Sequence, residues 1–111
     1  MPRAAACRLV LSTCPTRVVA QRLATALLRR RLAACVNIVP GLTSYFWWQG
    51  QLDRQAECLL LIKTRTRLVP SLITALRRLH PYENPEIIAV PITAGHRPYL
   101  DWIAHSCRQR R

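Results

Sequence analysis

Apolar positions along this chain recur with two different periods, and the switches between them mark out the elements. Leu9, Val10 and Leu11 run into Ser12 as a short first strand, after which Thr13-Cys14-Pro15 turns the chain, with Pro15 near the first helical turn. Val19, Leu23, Ala26 and Leu27 then repeat at i, i+4, i+7 and i+8, while Gln21, Thr25 and Arg29 take the other side. This spacing predicts an amphipathic helix to about Leu32. From Cys35 to Thr64 the pattern becomes that of strands: Val36, Ile38 and Val39, then Tyr45 to Trp48, then Cys58 to Ile62. Gln49-Gly50 suits a tight hairpin turn that needs positive φ, and Pro40-Gly41 marks a bulge or bend in the first arm.

A second helix follows, carrying Leu68, Leu72, Ala75, Leu76 and Leu79, and it stops at His80-Pro81 because the residue before a proline avoids helical dihedrals. Ile87 to Ile92 forms a fourth strand, ended by Pro91, and Pro98 opens a short last helix with Tyr99, Trp102 and Ile103 as its apolar face. The order is βαββαβ with a long hairpin between the second and third strands and a short C-terminal helix. That is an α+β, ferredoxin-like sandwich built as one domain over residues 1–111, with 1–7 and 107–111 as flexible ends.

One feature of the pattern does not suit a single copy. In this topology both main helices cover one sheet face, so the other should read polar at alternate positions, yet Cys58 to Ile62 and Ile87 to Val90 are continuously apolar. Burying a large apolar side chain is worth about 1.5–3 kcal/mol, so five or six left wet would outweigh the stability of a typical small domain. The open face and the hairpin are therefore expected to be covered by further copies in a closed ring, a homo-oligomer.

Composition narrows the function classes. Half the residues are hydrophobic and a fifth are charged, with 17 Lys and Arg against 5 Asp and Glu, a formal charge of +12. No stretch reaches the ~18 apolar residues of a membrane span, so no membrane partner is expected. Cys7, Cys14, Cys35, Cys58 and Cys107 are odd in number and contain no Cys-x-x-Cys pair, which predicts reduced, mostly buried thiols and a cytoplasmic location. The arginines cluster where helices end, reading as a solvated basic surface or an anion footprint, and no specific nucleic-acid partner is expected. An RNA-recognition sheet needs aromatics on its third strand, where this chain has Leu59 to Ile62.

No P-loop, nucleophile elbow, dinucleotide loop or HExxH motif occurs, and no enzyme activity is expected. A few polar groups stand among apolar ones. Glu57 and Lys63 bracket the buried third strand, which calls for a charge partner within or between subunits. His80 is placed to cap a helix end or to serve as an imidazole ligand. Cys35 is either packed or a reactive or metal-binding thiol, and Ser12 is a turn or capping hydroxyl. Trp48, Tyr82, Tyr99 and Trp102 suit interface packing or a ligand wall.

The segments Arg31-Leu32-Ala33-Ala34-Cys35-Val36-Asn37-Ile38-Val39-Pro40-Gly41-Leu42-Thr43-Ser44, Phe46-Trp47-Trp48-Gln49-Gly50, His80-Pro81-Tyr82-Glu83-Asn84-Pro85-Glu86-Ile87-Ile88 and Tyr99-Leu100-Asp101-Trp102-Ile103 resemble the CutA divalent-cation-tolerance family. The resemblance implies a homotrimer of ferredoxin-like subunits, related in fold to P-II signalling proteins. It also implies a role in the response to metal ions, with Cu(II) or another divalent cation bound and none required for folding. Carried over by position, the metal groups fall on Glu57, His80 and Ser12, with Cys35 as an additional thiol. Ser12 stands where some relatives carry cysteine, Phe46 where tyrosine is usual, Gln49 where Glu is common and Gln51 where Lys is common. The alternative reading is a P-II-like module that binds a small anionic ligand in an intersubunit cleft near Trp48, Lys63 and Tyr82.

Overall fold

The computed structural model describes residues 4–108. Its elements are β1 (Cys7–Cys14), α1 (Arg17–Arg29), β2 (Cys35–Trp48), β3 (Gln51–Arg65), α2 (Val69–Leu79), β4 (Ile87–Pro91) and α3 (Arg97–Ser106), with 3₁₀ turns at Ala4–Ala6 and Thr66–Leu68. The four strands form one sheet in the order β2-β3-β1-β4, every neighbouring pair antiparallel. This is the βαββαβ arrangement expected from the periodicity.

The hairpin turn lies at Gln49-Gly50, both residues at positive φ (50° and 79°), as a two-residue turn between twisted strands requires. Gly41 has φ of 80° and sits at the register shift between Val39 and Leu42, so Pro40-Gly41 is a bulge. At about 3.3 Å per residue the 14 residues of β2 span nearly the full 45 Å long axis of the molecule, so the hairpin tip stands clear of the body.

The Thr16 hydroxyl caps α1, accepting from the Val19 N–H at 3.1 Å. The helix stops at Arg29, short of the expected Leu32. The Arg31 N–H bonds to the Leu28 carbonyl and the Leu32 N–H to the Leu27 carbonyl, while Arg31 takes φ of 58°. That left-handed termination satisfies the last carbonyls and turns Leu32 and Ala33 into the core.

Val10 and Cys14 of β1 and Cys58, Leu60 and Ile62 of β3 meet Ala20, Leu23 and Leu27 of α1 and Leu72, Ala75 and Leu76 of α2 in the main core. A smaller cluster at the sheet end joins Cys7, Leu68, Leu100, Ile103 and Cys107. Two expectations are corrected there. Cys7 and Cys107, assigned to flexible ends, are buried and hold α3 against β1, while residues 1–3 and 109–111 lie outside the described residues. The buried face of α3 is Leu100 and Ile103, and Tyr99 and Trp102 stack on each other outside it, ring centroids 5.5 Å apart.

The second sheet face is apolar, as the runs on β3 and β4 predicted. Strand alternation puts Leu9 and Leu11 of β1, Leu59 and Leu61 of β3, Ile88 and Val90 of β4 and Val39 of β2 on it. No helix packs over their centre, and Ile88 is 49% exposed in the single chain.

Candidate functional site

The inner side of the hairpin and the loop after α2 enclose a cleft of about 810 Å³. The hairpin arms contribute Ser44 to Trp48 and then Asp53, Gln55 and Glu57. Pro81 of the loop is part of the wall together with Tyr82, Glu83, Asn84 and Glu86. Four of the chain's five carboxylates line this cleft, and no Lys, Arg or His among the described residues does, in a molecule of formal charge +12. It is an acidic, aromatic-walled cavity in a strongly basic protein.

Its deep end is built from a short relay of hydrogen bonds. Glu57 is buried and its Oε2 accepts from the Tyr82 hydroxyl at 2.8 Å. The Tyr82 N–H donates to His80 Nδ1 at 3.1 Å, so that nitrogen carries no proton, and Nε2–H therefore donates to the Thr13 carbonyl at 2.8 Å. Burial lowers the basicity of His80 against the opposing pull of the Thr13 carbonyl and Glu57, which favours the neutral ring that this pattern needs. Burial, reinforced by the hydrogen bond to Glu57, raises Tyr82 above the ordinary phenol value, so it remains a proton donor. His80 arrives here because Pro81 ends α2, leaving His80 extended at ψ 138°.

The residues singled out from the sequence do not converge on one point. Glu57 and His80 are brought together through Tyr82, with ring centroids of His80 and Tyr82 4.9 Å apart. Both imidazole nitrogens are engaged with protein, which leaves no lone pair for a metal. Ser12 pairs with Leu60 and points into the helix-covered core, fully buried, with no hydrogen-bond partner for its Oγ among the described residues. Cys35 pairs with Lys63 six residues along β3 from Glu57, about 20 Å away at 3.3 Å per residue. Among the described residues no group of three or more His, Cys, Asp and Glu could hold a metal ion. The four-residue metal set of the sequence reading therefore does not fit a single centre within one chain.

The ligand-cleft set is expected between subunits, and within one chain its members lie apart. Trp48 and Tyr82 share the cavity, whereas Lys63 lies at the other end of β3, its ammonium donating to the Asn37 amide oxygen and standing 3.9 Å from the Cys35 sulfur. No disulfide joins the five cysteines. Burial, with Cys58 beside it, pushes the Cys14 thiol up to about 11, and burial also raises Cys7 and Cys107, all away from thiolate chemistry. Asp53, Gln55, Glu83 and Glu86 were not singled out from the sequence. Hairpin symmetry about Gln49-Gly50 supplies a signal for Asp53 and Gln55, since it sets Asp53 opposite Phe46 and Gln55 opposite Ser44.

The architecture and the cleft define a class: a small α+β chain with a four-stranded antiparallel sheet, a projecting hairpin and an acidic cavity beneath it. The model of the family described as "CutA1 divalent ion tolerance protein" matches residues 8–106, and the chain belongs to this family. It is 54% identical over 94 residues to the divalent-cation tolerance protein CutA of Thermus thermophilus, covering 85% of this chain and 91% of that one. It is 46% identical over 91 residues to human protein CutA, covering 82% of this chain but only 51% of that relative, so it spans about half the length of the human protein. Among solved structures, CutA1 of Oryza sativa superposes with a TM-score of 0.93 at 40% identity, covering 98% of this chain and 100% of that one. A structure described as the periplasmic divalent cation tolerance protein CutA of Archaeoglobus fulgidus superposes at 0.88 with 36% identity, covering 90% and 97%.

Proposed function

We propose that this protein acts in divalent-cation tolerance as a non-catalytic homotrimer that draws cations such as Cu(II) into the acidic cleft. The observation that carries this is the concentration of four of five carboxylates around one cavity that no basic side chain among the described residues lines. Glu57 is the residue we assign to first contact, because Tyr82 engages only its Oε2. His80 positions Tyr82 and is not a ligand in this reading. The alternative, a P-II-like module with a small anionic ligand, concerns a cleft shared between subunits, whereas the four carboxylates of this cavity belong to one chain. The names of the relatives agree with a cation role.

Trimerisation belongs to the same proposal. The apolar face around Leu59, Leu61, Ile88 and Val90 needs a cover, and the hairpin projects far enough to reach a neighbouring copy. A cytoplasmic location is likewise a proposal, supported by the five unbridged cysteines, beside one relative described as periplasmic. No helix among the described residues is long and apolar enough to cross a membrane.

Copper(II) titration by calorimetry tests the cation reading. We expect Glu57→Gln to weaken binding at least tenfold and His80→Gln to leave the affinity within about twofold. Since Cu(II) is the tightest divalent ion at almost any site, the comparison between variants decides, not binding itself. Unchanged affinity in Glu57→Gln removes that residue from the account.

A further inference from the structure

We infer that Cys14 and Cys58 are a covalent modification site, a dithiol that closes to a disulfide between β1 and β3 when the chain folds in oxidising surroundings and stays open in reducing ones. The site lies in the core beneath the helices, away from the sheet face that calls for a neighbouring copy.

Strand register brings the two together. Cys14 and Cys58 are direct partners in the antiparallel ladder of β1 and β3. Opposite residues in such a ladder have Cα atoms about 4.5–5.5 Å apart, inside the range of roughly 4.4–6.8 Å that a disulfide spans. Direct partners also project from the same face of the sheet, here the helix-covered one, where Cys14 is 0% and Cys58 5% exposed in the main core. Closure therefore calls for side-chain rotation more than for backbone movement. Their closeness is felt at Cys14, whose thiol is raised by burial and raised further by Cys58.

Nothing in the cysteine spacing announces this pair, because only the register creates it. The remaining cysteines are placed otherwise: Cys7 and Cys107 share the smaller buried cluster but no strand register, and Cys35 stands opposite Lys63. Closing the bond gives up little, since the Cys14 thiol donates only a weak hydrogen bond to the Thr16 carbonyl, at 3.6 Å. The chain neighbours of the two cysteines are Thr13, which holds His80, and Glu57, which holds Tyr82. The bond thus ties together the two strand positions that frame the relay at the deep end of the cleft.

The oxidant is a low-molecular-weight disulfide. One cysteine thiolate attacks it and expels one small thiolate, the second cysteine attacks the mixed disulfide and expels the other, and the two cysteine protons pass to the expelled thiolates. One small disulfide is reduced to two thiols as one protein disulfide forms. With Cys14 pushed up to about 11, thiolate is scarce in the folded chain at neutral pH, so closure belongs to folding, before the core seals. In a reducing compartment the same residues remain two packed thiols.

Refolding the full chain from guanidinium chloride in a buffer of oxidised and reduced glutathione, against the same refolding in dithiothreitol, tests this. After free thiols are blocked with iodoacetamide, trypsin releases residues 9–17, whose one cysteine is Cys14, and residues 55–63, whose one cysteine is Cys58. Mass spectrometry then reads whether the two peptides are joined, and we expect that linkage as the main disulfide. It closes a loop of about 45 residues, so the oxidised protein should melt about 10 °C above the reduced one at equal concentration, a gain that dithiothreitol reverses. Cys58→Ala should melt at one temperature in both buffers; if it does not fold, the oxidised and reduced wild type decide alone. Recovery of the two peptides unlinked, whatever other disulfides form, overturns the inference. A linked pair without a rise in Tm overturns it too, as does an equal rise in Cys58→Ala.

Discussion

Ser12→Ala isolates one physical term cleanly. The Ser12 side chain is fully buried between Val10 and Cys14 on the helix-facing side of β1, and its hydroxyl has no partner among the described residues. A buried hydroxyl without a hydrogen bond costs about 1–3 kcal/mol on mutational scales. Alanine removes that oxygen and leaves a gap smaller than a methylene, whose loss offsets part of the gain because each buried methylene is worth about 0.8 kcal/mol. The expected net effect is a stabilisation of about 1 kcal/mol. With an unfolding entropy near 2.1 cal/mol/K per residue, this corresponds to a rise of about 4 °C in Tm for a chain of this length. Thermal and denaturant unfolding followed by circular dichroism, at equal protein concentration because association contributes to stability, measures it. A loss of 1 kcal/mol or more would refute the reasoning, since it would mean that the hydroxyl has a partner worth keeping. The same variant should leave copper affinity unchanged, because this side chain points away from the cleft.

Three further outcomes are expected. Burial holds the His80 pKa below its unfolded value of about 6.5, so the unfolded chain binds more protons just below that value; the associated stability is complete above pH 7 and falls as the pH drops through 6.5. Comparing denaturant midpoints at pH 7.5 and pH 5.5 should show a larger fall in the wild type than in His80→Gln, and equal falls would remove His80 as the source. Gly50→Ala meets no atom within 4 Å of the new Cβ, so its cost comes from φ of +79° alone, about 1 kcal/mol by equilibrium unfolding, while Gly50→Asn should cost less. Val90→Asp puts a charge on the apolar sheet face, and size-exclusion chromatography with light scattering should show a shift toward smaller species; an unchanged elution would exclude that patch from the subunit contact.

Much of the fold is legible because local chemistry and tertiary packing agree. Gln49-Gly50 must turn, Pro81 must end α2, and Leu72, Ala75 and Leu76 must face one way. Helix ends are less legible: α1 stops at Arg29 because Arg31 adopts a left-handed conformation that a glycine search does not flag. The face of Ser12 was hidden because Leu9 to Leu11 is apolar at every position, so alternation carries no parity there. Cys35 and Glu57 could have been separated in advance. The two lie at unequal distances from the hairpin turn, and residues pair across a hairpin only at equal ones, allowing for the bulge. The cleft itself is the least legible part. Asp53 is 30 residues from Glu83 and 33 from Glu86 in the chain, and they meet only because the loop after α2 passes beneath the hairpin, a tertiary event without a periodic signature.

The central claim is that one copy leaves too much apolar β-surface in water and that three copies hide it together. Sedimentation equilibrium at micromolar concentration tests this most directly. The account predicts a single species of about three times the 12.7 kDa chain mass. A folded species at the mass of one chain, with near-ultraviolet circular dichroism intact, would contradict it.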